Sequence, residues 1–192
     1  MIEVYGLTGK TGAGKSTVAS LLSKKGFLII DGDKIARQIT EKGSDVLLKL
    51  SEFFGDDIIA PDGTLIRSAL AEKAFANSES TAALNRITHG AIDEVIRQRI
   101  EDGEKNGFQK CVIDAAALLE SPSKQLCKKI IVVTAPVEVR LERILLRDNI
   151  SKNQAMTRIN AQKSDEYYFE NADIIIRNYP PYNLESEIQK IR

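Results

Sequence analysis

The sequence predicts an α/β fold in which buried parallel strands alternate with helices. Five short apolar runs have the character of buried strands, at residues 2–7, 27–30, 110–114, 129–134 and 172–178. Most segments between these runs carry apolar residues at helical spacing. The first run leads directly into a glycine-rich loop and a helix, the strand–loop–helix order of a phosphate-binding unit. A length of 192 residues suits one domain with an inserted subdomain.

Composition excludes several classes of protein. Hydrophobic residues make up 43% and charged residues 28%, as in ordinary globular proteins. Lys+Arg and Asp+Glu both number 27, so no basic field predicts a nucleic-acid partner. We expect no membrane span and no signal peptide, and therefore a cytoplasmic protein. The spacing of Cys111 and Cys127 suggests neither a disulfide framework nor a metal site, and nothing in the sequence indicates an oligomeric state.

The glycine-rich loop, Gly9–Thr17, fits the pattern G-x-x-x-x-G-K-[ST] and is called the P-loop below. Its glycines let backbone N–H groups converge on phosphate oxygens. Lys15 would reach the β- and γ-phosphates, and the Ser16 hydroxyl would bind Mg²⁺. The pattern predicts nucleotide binding by Thr11, Gly12, Ala13, Gly14, Lys15, Ser16 and Thr17.

Carboxylates follow the second and third strands. Asp31 and Asp33 come after residues 27–30, on the sheet edge where ligands of open α/β sheets bind. Asp33 is either a helix N-cap or a base for an attacking hydroxyl, and position alone does not decide between them. Asp114 ends the third strand, where it is either a magnesium ligand or a strand-end cap.

Residues 41–108 show helical spacing with turn signals and no strand signal, which predicts a helical, substrate-binding insertion. It contains His89, the one histidine, which alone is weak evidence for a site. We expect a further helix over 115–126, broken near Pro122.

A helix predicted from Pro136 carries an apolar stripe beside Arg140, Arg143 and Arg147. These arginines form either a solvated face or a source of positive charge for a transferring phosphoryl group. A capping box at Ser151–Gln154 starts the next helix, expected to run to about Ser164.

Taken together and in order, these motifs resemble the dephospho-coenzyme A kinases over nearly the whole chain. The matching segments are Gly6–Gly9 with the P-loop, Asp31–Arg37, Phe54–Gly55, Asp62–Leu65 with Arg67, Leu70 and Phe75, Leu84–Asn85 with Ile87–His89, Asp114 with Leu118–Glu120, Arg143–Asp148, Arg158–Ile159, Gln162, Ala172–Asp173 and Asn178. The chain departs from the family pattern at Lys10, Thr11, Gly90, Ala116 and Tyr179. None of these departures removes a group expected to touch phosphate.

The resemblance implies a P-loop kinase core of about five parallel strands with helices on both faces. It also implies a helical acceptor-binding insertion near 34–108 and a lid near 143–165. The implied reaction is phosphorylation of the ribose 3′-hydroxyl of dephospho-CoA by ATP with Mg²⁺, the last step of coenzyme A biosynthesis.

The resemblance also implies a role for each site residue. Asp33 is the implied base, and Lys15 and Arg143 stabilise the phosphoryl group with help from Arg147. Ser16 and Asp114 hold Mg²⁺, and Asn178 lies in the nucleotide site. The implied acceptor residues are Thr8, Asp31, Asp33, Arg37, His89 and Leu118.

Three alternatives stay open at this point. Another kinase of the nucleoside monophosphate kinase type would share the P-loop and lid but phosphorylate a different acceptor. A GTPase switch is disfavoured, because no D-x-x-G occurs and Gln162–Asp165 only approximates the guanine-reading motif. A silent nucleotide-binding module is disfavoured by the retained Lys15, Asp33 and Arg143.

Overall fold

A computed structural model of the chain describes residues 1–191. Five parallel strands form a single sheet in the order β2-β3-β1-β4-β5. The strands are β1 (Glu3–Gly9), β2 (Leu28–Asp31), β3 (Lys110–Asp114), β4 (Lys129–Thr134) and β5 (Ile174–Arg177). Every predicted strand is therefore confirmed, and the P-loop follows the central one.

Helices connect the strands. Their bounds are α1 (Lys15–Lys24), α2 (Gly32–Gln38), α3 (Asp45–Phe54), α4 (Arg67–Ala74), α5 (Ser78–Lys105), α6 (Val137–Asp148), α7 (Lys152–Asn160), α8 (Asp165–Glu170) and α9 (Leu184–Ile188). Short 3₁₀ turns cover Asp56–Ile58, Leu118–Glu120 and Pro122–Leu126. In the described part of the chain, no helix is both long and apolar enough to cross a bilayer.

Alternation along β1 divides its side chains between two packed faces. Tyr5 and Leu7 enter a core that also contains apolar residues of α1 and α9. Gly6 points to the other face, where an added Cβ would lie 2.5 Å from Leu118 Cδ2. Burial on both faces explains the apolar runs in these strands.

The chain divides into two compact units. One comprises Met1–Ile30 together with the described residues from Ile100 onward, and the other is Asp31–Arg99. The first contains the sheet apart from the final residue of β2. The second is helical, and α3, α4 and the start of α5 bury a separate apolar core, formed by Leu50, Phe54, Ile58, Leu70, Ala74 and Ala83.

Two predicted helices differ from the structure. Residues 115–126 form 3₁₀ turns rather than an α-helix, because Ser121 is extended and Pro122 has no N–H to donate. The helix beginning after Ser151 has the predicted capping box but ends at Asn160 rather than near Ser164. Ser164 instead caps α8 by accepting a hydrogen bond from the Tyr167 N–H at 3.3 Å.

Candidate active site

The P-loop joins β1 to α1 through two glycines that the geometry requires. Gly14 is the N-cap of α1 and has left-handed backbone angles, φ 95° and ψ 34°. A Cβ there would lie 2.1 Å from Asn178 Nδ2. Gly12 has φ 79°, and a Cβ on it would lie 2.6 Å from the Arg140 carbonyl oxygen. The loop is therefore pressed between α6 and the segment after β5, where only glycine fits.

Two side chains from the C-terminal half of the chain hold P-loop carbonyls. Arg143 Nη1 lies 3.3 Å from Gly12 O and 3.2 Å from Ala13 O. Asn178 Nδ2 donates to Ala13 O at 2.9 Å, and Arg143 Nη2 donates to Asn178 O at 2.8 Å. These donors engage the carbonyl oxygens of Gly12 and Ala13, which would repel a phosphate group.

The N-terminus of α1 has the features of an anion site. Its N-cap is Gly14, which has no side chain to accept a hydrogen bond from the helix. Its first turn contains no acidic residue. The first N–H groups of an α-helix lack partners inside the helix, and the helix dipole adds positive potential there. Ser16 and Thr17 are exposed in this turn. The Thr17 N–H donates to Gly14 O at 3.1 Å, and a phosphate group would supply acceptors for the N–H groups that precede it in this turn.

Lys15 is paired with Asp114 at the carboxyl edge of the sheet. Lys15 Nζ lies 2.6 Å from Asp114 Oδ1, and these side chains are only 18% and 14% exposed. The pairing follows from register, because Asp114 lies opposite Leu7 on neighbouring parallel strands that end at one edge. The structure thus brings together the predicted phosphate-binding cation and the predicted magnesium-binding carboxylate.

The arginine stripe on α6 splits into three environments. Arg143 contacts the P-loop, whereas Arg147 is 62% exposed and binds Asp148 through two nitrogens, at 2.7 and 3.0 Å. Arg158 of α7 binds the same carboxylate at 2.8 Å. The hydrogen bonds from Arg147, helped by the charge of Arg158, hold the pKa of Asp148 below its usual range.

Arg140 is only 2% exposed, so the solvated-face interpretation is wrong for this arginine. Its Nε and Nη1 atoms find no hydrogen-bond acceptor among the described residues. Burial lowers the pKa of Arg140, while the charge of Asp165 acts in the opposite direction. Helical spacing could not reveal this, because α6 turns this side chain towards the P-loop and α8 rather than towards solvent.

Two predicted acceptor residues of the sheet-containing unit are fully buried. Thr8 and Leu118 both have 0% exposure. The Thr8 hydroxyl donates to Ala116 O at 3.1 Å, and Leu118 packs over Gly6. Both side chains support the carboxyl end of β1 in this arrangement, and their contact with an acceptor stays a prediction.

In the helical unit, Asp31 rather than Asp33 caps α2. Asp31 Oδ1 accepts a hydrogen bond from the Lys34 N–H at 2.7 Å. Asp33 is the second residue of the helix and lies in its first turn. The N-cap interpretation of Asp33 is therefore wrong, because α2 begins at Gly32, immediately after β2. Arg37 is exposed at the end of α2, and His89 is half-buried within α5.

The helical unit encloses a cavity of about 240 Å³ with mostly apolar walls. Its lining is Ala36, Thr40, Leu65, Arg67, Leu70, Ala71, Phe75, Leu84, Asn85, Thr88 and Ile92. Arg67 Nη2 donates to Thr40 Oγ1 at 3.1 Å and lies 3.4 Å from Arg37 O. Arg67, Asn85 and Thr88 were not predicted as site residues, although all three lie in segments that carry the family resemblance.

Neither cysteine has the character of a nucleophile. Both Cys111 and Cys127 are free thiols, buried and half-buried respectively. Burial raises the pKa of Cys111 to about 11 and that of Cys127 to about 12. Within residues 1–191, no group of three His, Cys, Asp or Glu side chains could hold a metal ion without help from a ligand.

Comparison with known proteins agrees with this geometry. The sequence profile of the dephospho-CoA kinase family matches residues 3–181. A dephospho-CoA kinase of Corynebacterium glutamicum is 43% identical over 173 residues, 90% of this chain and 86% of the relative. One from Bacillus cereus is 38% identical over 178 residues, 93% of this chain and 89% of the relative.

Solved structures extend the likeness to the fold. The dephospho-CoA kinase from Campylobacter jejuni has a TM-score of 0.70 and 28% identity, covering 100% of this chain and 96% of its own. TT1252 from Thermus thermophilus has a TM-score of 0.81 and 25% identity, covering 99% of this chain and 94% of its own. A shikimate kinase from Acinetobacter baumannii, 16% identical with a TM-score of 0.53, shares the fold alone. With a family match along nearly its whole length and curated relatives above 40% identity, the chain belongs to the dephospho-CoA kinase family.

Proposed function

We propose that the chain transfers the γ-phosphoryl group of ATP to the ribose 3′-hydroxyl of dephospho-CoA, giving CoA and ADP. The observation that carries the proposal is the uncapped N-terminus of α1 beside the Lys15–Asp114 pair, at the sheet edge that follows the P-loop. This arrangement is built for a phosphate chain and its counter-ions. Family membership supplies the acceptor.

On the nucleotide side, the P-loop N–H groups and Lys15 bind the β- and γ-phosphates. Lys15 gives up part of its contact with Asp114 as the phosphates arrive, because they offer a larger negative charge. Asn178 already donates to the Ala13 carbonyl and fixes the loop that the nucleotide contacts. Arg147, largely exposed on α6, assists from the lid.

Magnesium binding fits the residues at this edge. Ser16 offers an exposed hydroxyl in the first turn of α1, and Asp114 offers a carboxylate at the end of β3. Mg²⁺ commonly takes one or two protein oxygens and completes its shell with phosphates and water. When bound, the ion would offset negative charge on the phosphates as the transfer proceeds.

For the acceptor, we propose Asp33 as the base that removes the proton from the 3′-hydroxyl. Asp31 holds the start of α2 and so fixes the backbone that carries Asp33. The cavity of the helical unit offers apolar walls for the uncharged part of dephospho-CoA, and Arg67 in its lining offers positive charge for the diphosphate. Arg37, whose carbonyl lies 3.4 Å from Arg67 Nη2, is a second source of positive charge in this unit. His89 neighbours the cavity-lining Thr88 on α5 and belongs to the same proposed acceptor region.

Arg143→Ala is expected to lower kcat by about 10²-fold and to raise KM for ATP much less. The guanidinium would meet its strongest partner as charge develops on the transferring phosphoryl group. Steady-state kinetics with varied ATP at saturating dephospho-CoA measure both constants. Equal changes in kcat and in KM for ATP would indicate that Arg143 only stabilises the P-loop, through its contacts with Gly12 and Ala13.

Arg140→Met is the control on the same helix. It removes a buried guanidinium with unpaired nitrogens and keeps much of its volume, so kcat should stay near wild type and the melting temperature should not fall.

The experiment that tests the function is ADP release, coupled to an optical readout, with a panel of acceptors. We expect dephospho-CoA to be the preferred acceptor by kcat/KM over AMP, CMP, adenosine and shikimate. Adenosine carries the same 3′-hydroxyl without the pantetheine arm, so its deficit measures what the rest of the acceptor contributes. Preference for a nucleoside monophosphate would instead identify a kinase of that type and overturn the proposal.

A further inference from the structure

The connection between α7 and α8, taken here as residues 161–164 together with Asp165, the first residue of α8, binds the outer turn of the P-loop. Gln162 Oε1 accepts a hydrogen bond from the Thr11 N–H at 2.9 Å. Three residues later, Asp165 Oδ1 lies 2.6 Å from Lys10 Nζ. In the sequence, Gln162 matches the family pattern and Gln162–Asp165 approximates a guanine-reading motif, but neither observation explains these contacts.

The partners on the P-loop are the two positions at which the loop departs from the family pattern. Lys10 is only 13% exposed at its side chain, and its Nζ lies 5.8 Å from the Tyr168 ring centroid. Its charge therefore faces α8. Thr11 supplies a backbone N–H, a donor that any residue except proline would keep at this position.

Hydrogen bonding within the loop shows why Gln162 matters. The Ala13 N–H is taken by Lys10 O at 3.0 Å, and the Gly12 and Ala13 carbonyls are taken by Arg143 and Asn178. Thr11 N–H has its acceptor outside the loop, on a half-exposed side chain. Removing that acceptor would let the outer turn rotate to find another partner, which would move the phosphate-binding N–H groups that follow it.

Packing and charge also support this contact between the P-loop and the α7–α8 connection, which is called the junction below. The loop cannot shift towards α6 at Gly12, because backbone atoms of Arg140 lie within 3 Å of the position that a Cβ on Gly12 would occupy. Asp165 also acts electrostatically on the buried Arg140, so its carboxylate serves two cations that flank the loop. The loop is thus held on one side by α6 and on the other by the α7–α8 connection.

We infer that Gln162 is a positioning residue for ATP, which acts by holding the Thr11 N–H, and that the Asp165–Lys10 pair fixes the same junction. The kinetic test of this inference rests on the proposed function, whereas the measurement of ATP binding does not. The α7–α8 connection belongs to the predicted lid, so this junction gives the lid a direct hold on the loop that binds the nucleotide.

Gln162→Ala should weaken ATP binding by about five- to thirtyfold, the range expected when a backbone donor loses its acceptor. KM for dephospho-CoA and the melting temperature without ligand should stay near wild type. Gln162→Glu keeps an acceptor oxygen at the same reach and should recover most of the loss. Lys163→Ala is the matched control, because Lys163 lies in the same connection but contacts the Tyr167 ring rather than the P-loop.

Direct titration with ATP, followed by calorimetry, separates this inference from the function itself. The titration measures the effect of Gln162 on ATP affinity even if dephospho-CoA proves not to be the acceptor. Unchanged ATP affinity in Gln162→Ala would overturn the inference, as would an equal loss in Gln162→Glu or a loss that also affects KM for dephospho-CoA. If Gln162→Ala proves unstable, a double-mutant cycle of Lys10→Met and Asp165→Asn tests the junction independently, and additive effects on ATP affinity would count against it.

Discussion

Lys15→Ala should abolish phosphoryl transfer, with a loss of turnover on the order of 10³-fold or more. Lys15 is the cation that the P-loop directs to the edge of the sheet where β1 and β3 end. The other lysine of the loop, Lys10, is paired with Asp165, and Arg143 contacts loop carbonyls. Neither can replace the charge that Lys15 would place on the β- and γ-phosphates.

Stability and catalysis can be separated in this variant. Lys15→Ala removes the cation that lies 2.6 Å from the largely buried Asp114 carboxylate, so a lower melting temperature is expected. The double variant Lys15→Ala with Asp114→Asn also removes the carboxylate charge that Lys15 offsets, and should recover the melting temperature without recovering turnover. Lys24→Ala, at the exposed end of the same helix, should match wild type in both measurements.

ADP release and thermal melting on the same preparations decide the outcome. Substantial turnover in Lys15→Ala would remove the P-loop lysine from the mechanism. Recovery of turnover in the double variant would show that the single variant failed because of the charge of Asp114 and not because of the loss of Lys15.

The core of the fold was predictable because its strands are buried on both faces. Such strands appear in the sequence as continuous apolar runs, and all five were located from them. The P-loop was predictable for a related reason: close approach of backbone to phosphate restricts certain positions to glycine. In the structure, Gly12 and Gly14 have positive φ, and protein atoms of Arg140 and Asn178 occupy the places where a Cβ would lie.

Contacts between distant segments were not predictable. Arg140 looked like part of a charged helix face, and only the packing of α6 against the P-loop shows that it is buried. The sequence likewise did not predict the hydrogen bond between Gln162 and Thr11, because the two residues lie 151 positions apart. The 3₁₀ turns around Pro122 differ from these cases, because their cause is local: Ser121 is extended and Pro122 has no N–H to donate.

Sequence and structure together narrow the possible roles of Asp33. Position alone left a cap and a base as equal alternatives, and the structure assigns the cap of α2 to Asp31. A carboxylate in the first turn also interacts favourably with the helix dipole, an effect worth about 0.3–1 kcal/mol. A contribution of that size cannot account for a large loss of turnover.

Asp33→Asn should therefore give folded protein that binds ATP and loses roughly 10²–10⁴-fold in turnover. Asparagine keeps the shape of the side chain but cannot accept the proton of the 3′-hydroxyl. As a base, the carboxylate must come within about 2.6–3.2 Å of that hydroxyl in the closed complex. The matched control is Asp45→Asn, because Asp45 is the first-turn acid of α3 in the same helical unit.

Comparing the two variants isolates proton transfer from helix electrostatics. Both lose one first-turn charge, so both should show a similar small fall in melting temperature. Turnover should fall only in Asp33→Asn, and ATP affinity measured by titration should be unchanged in both. If Asp33→Asn kept near-normal turnover with a lowered melting temperature, Asp33 would be a helix-stabilising residue. The base would then have to be sought among the other polar groups of the acceptor region, beginning with His89.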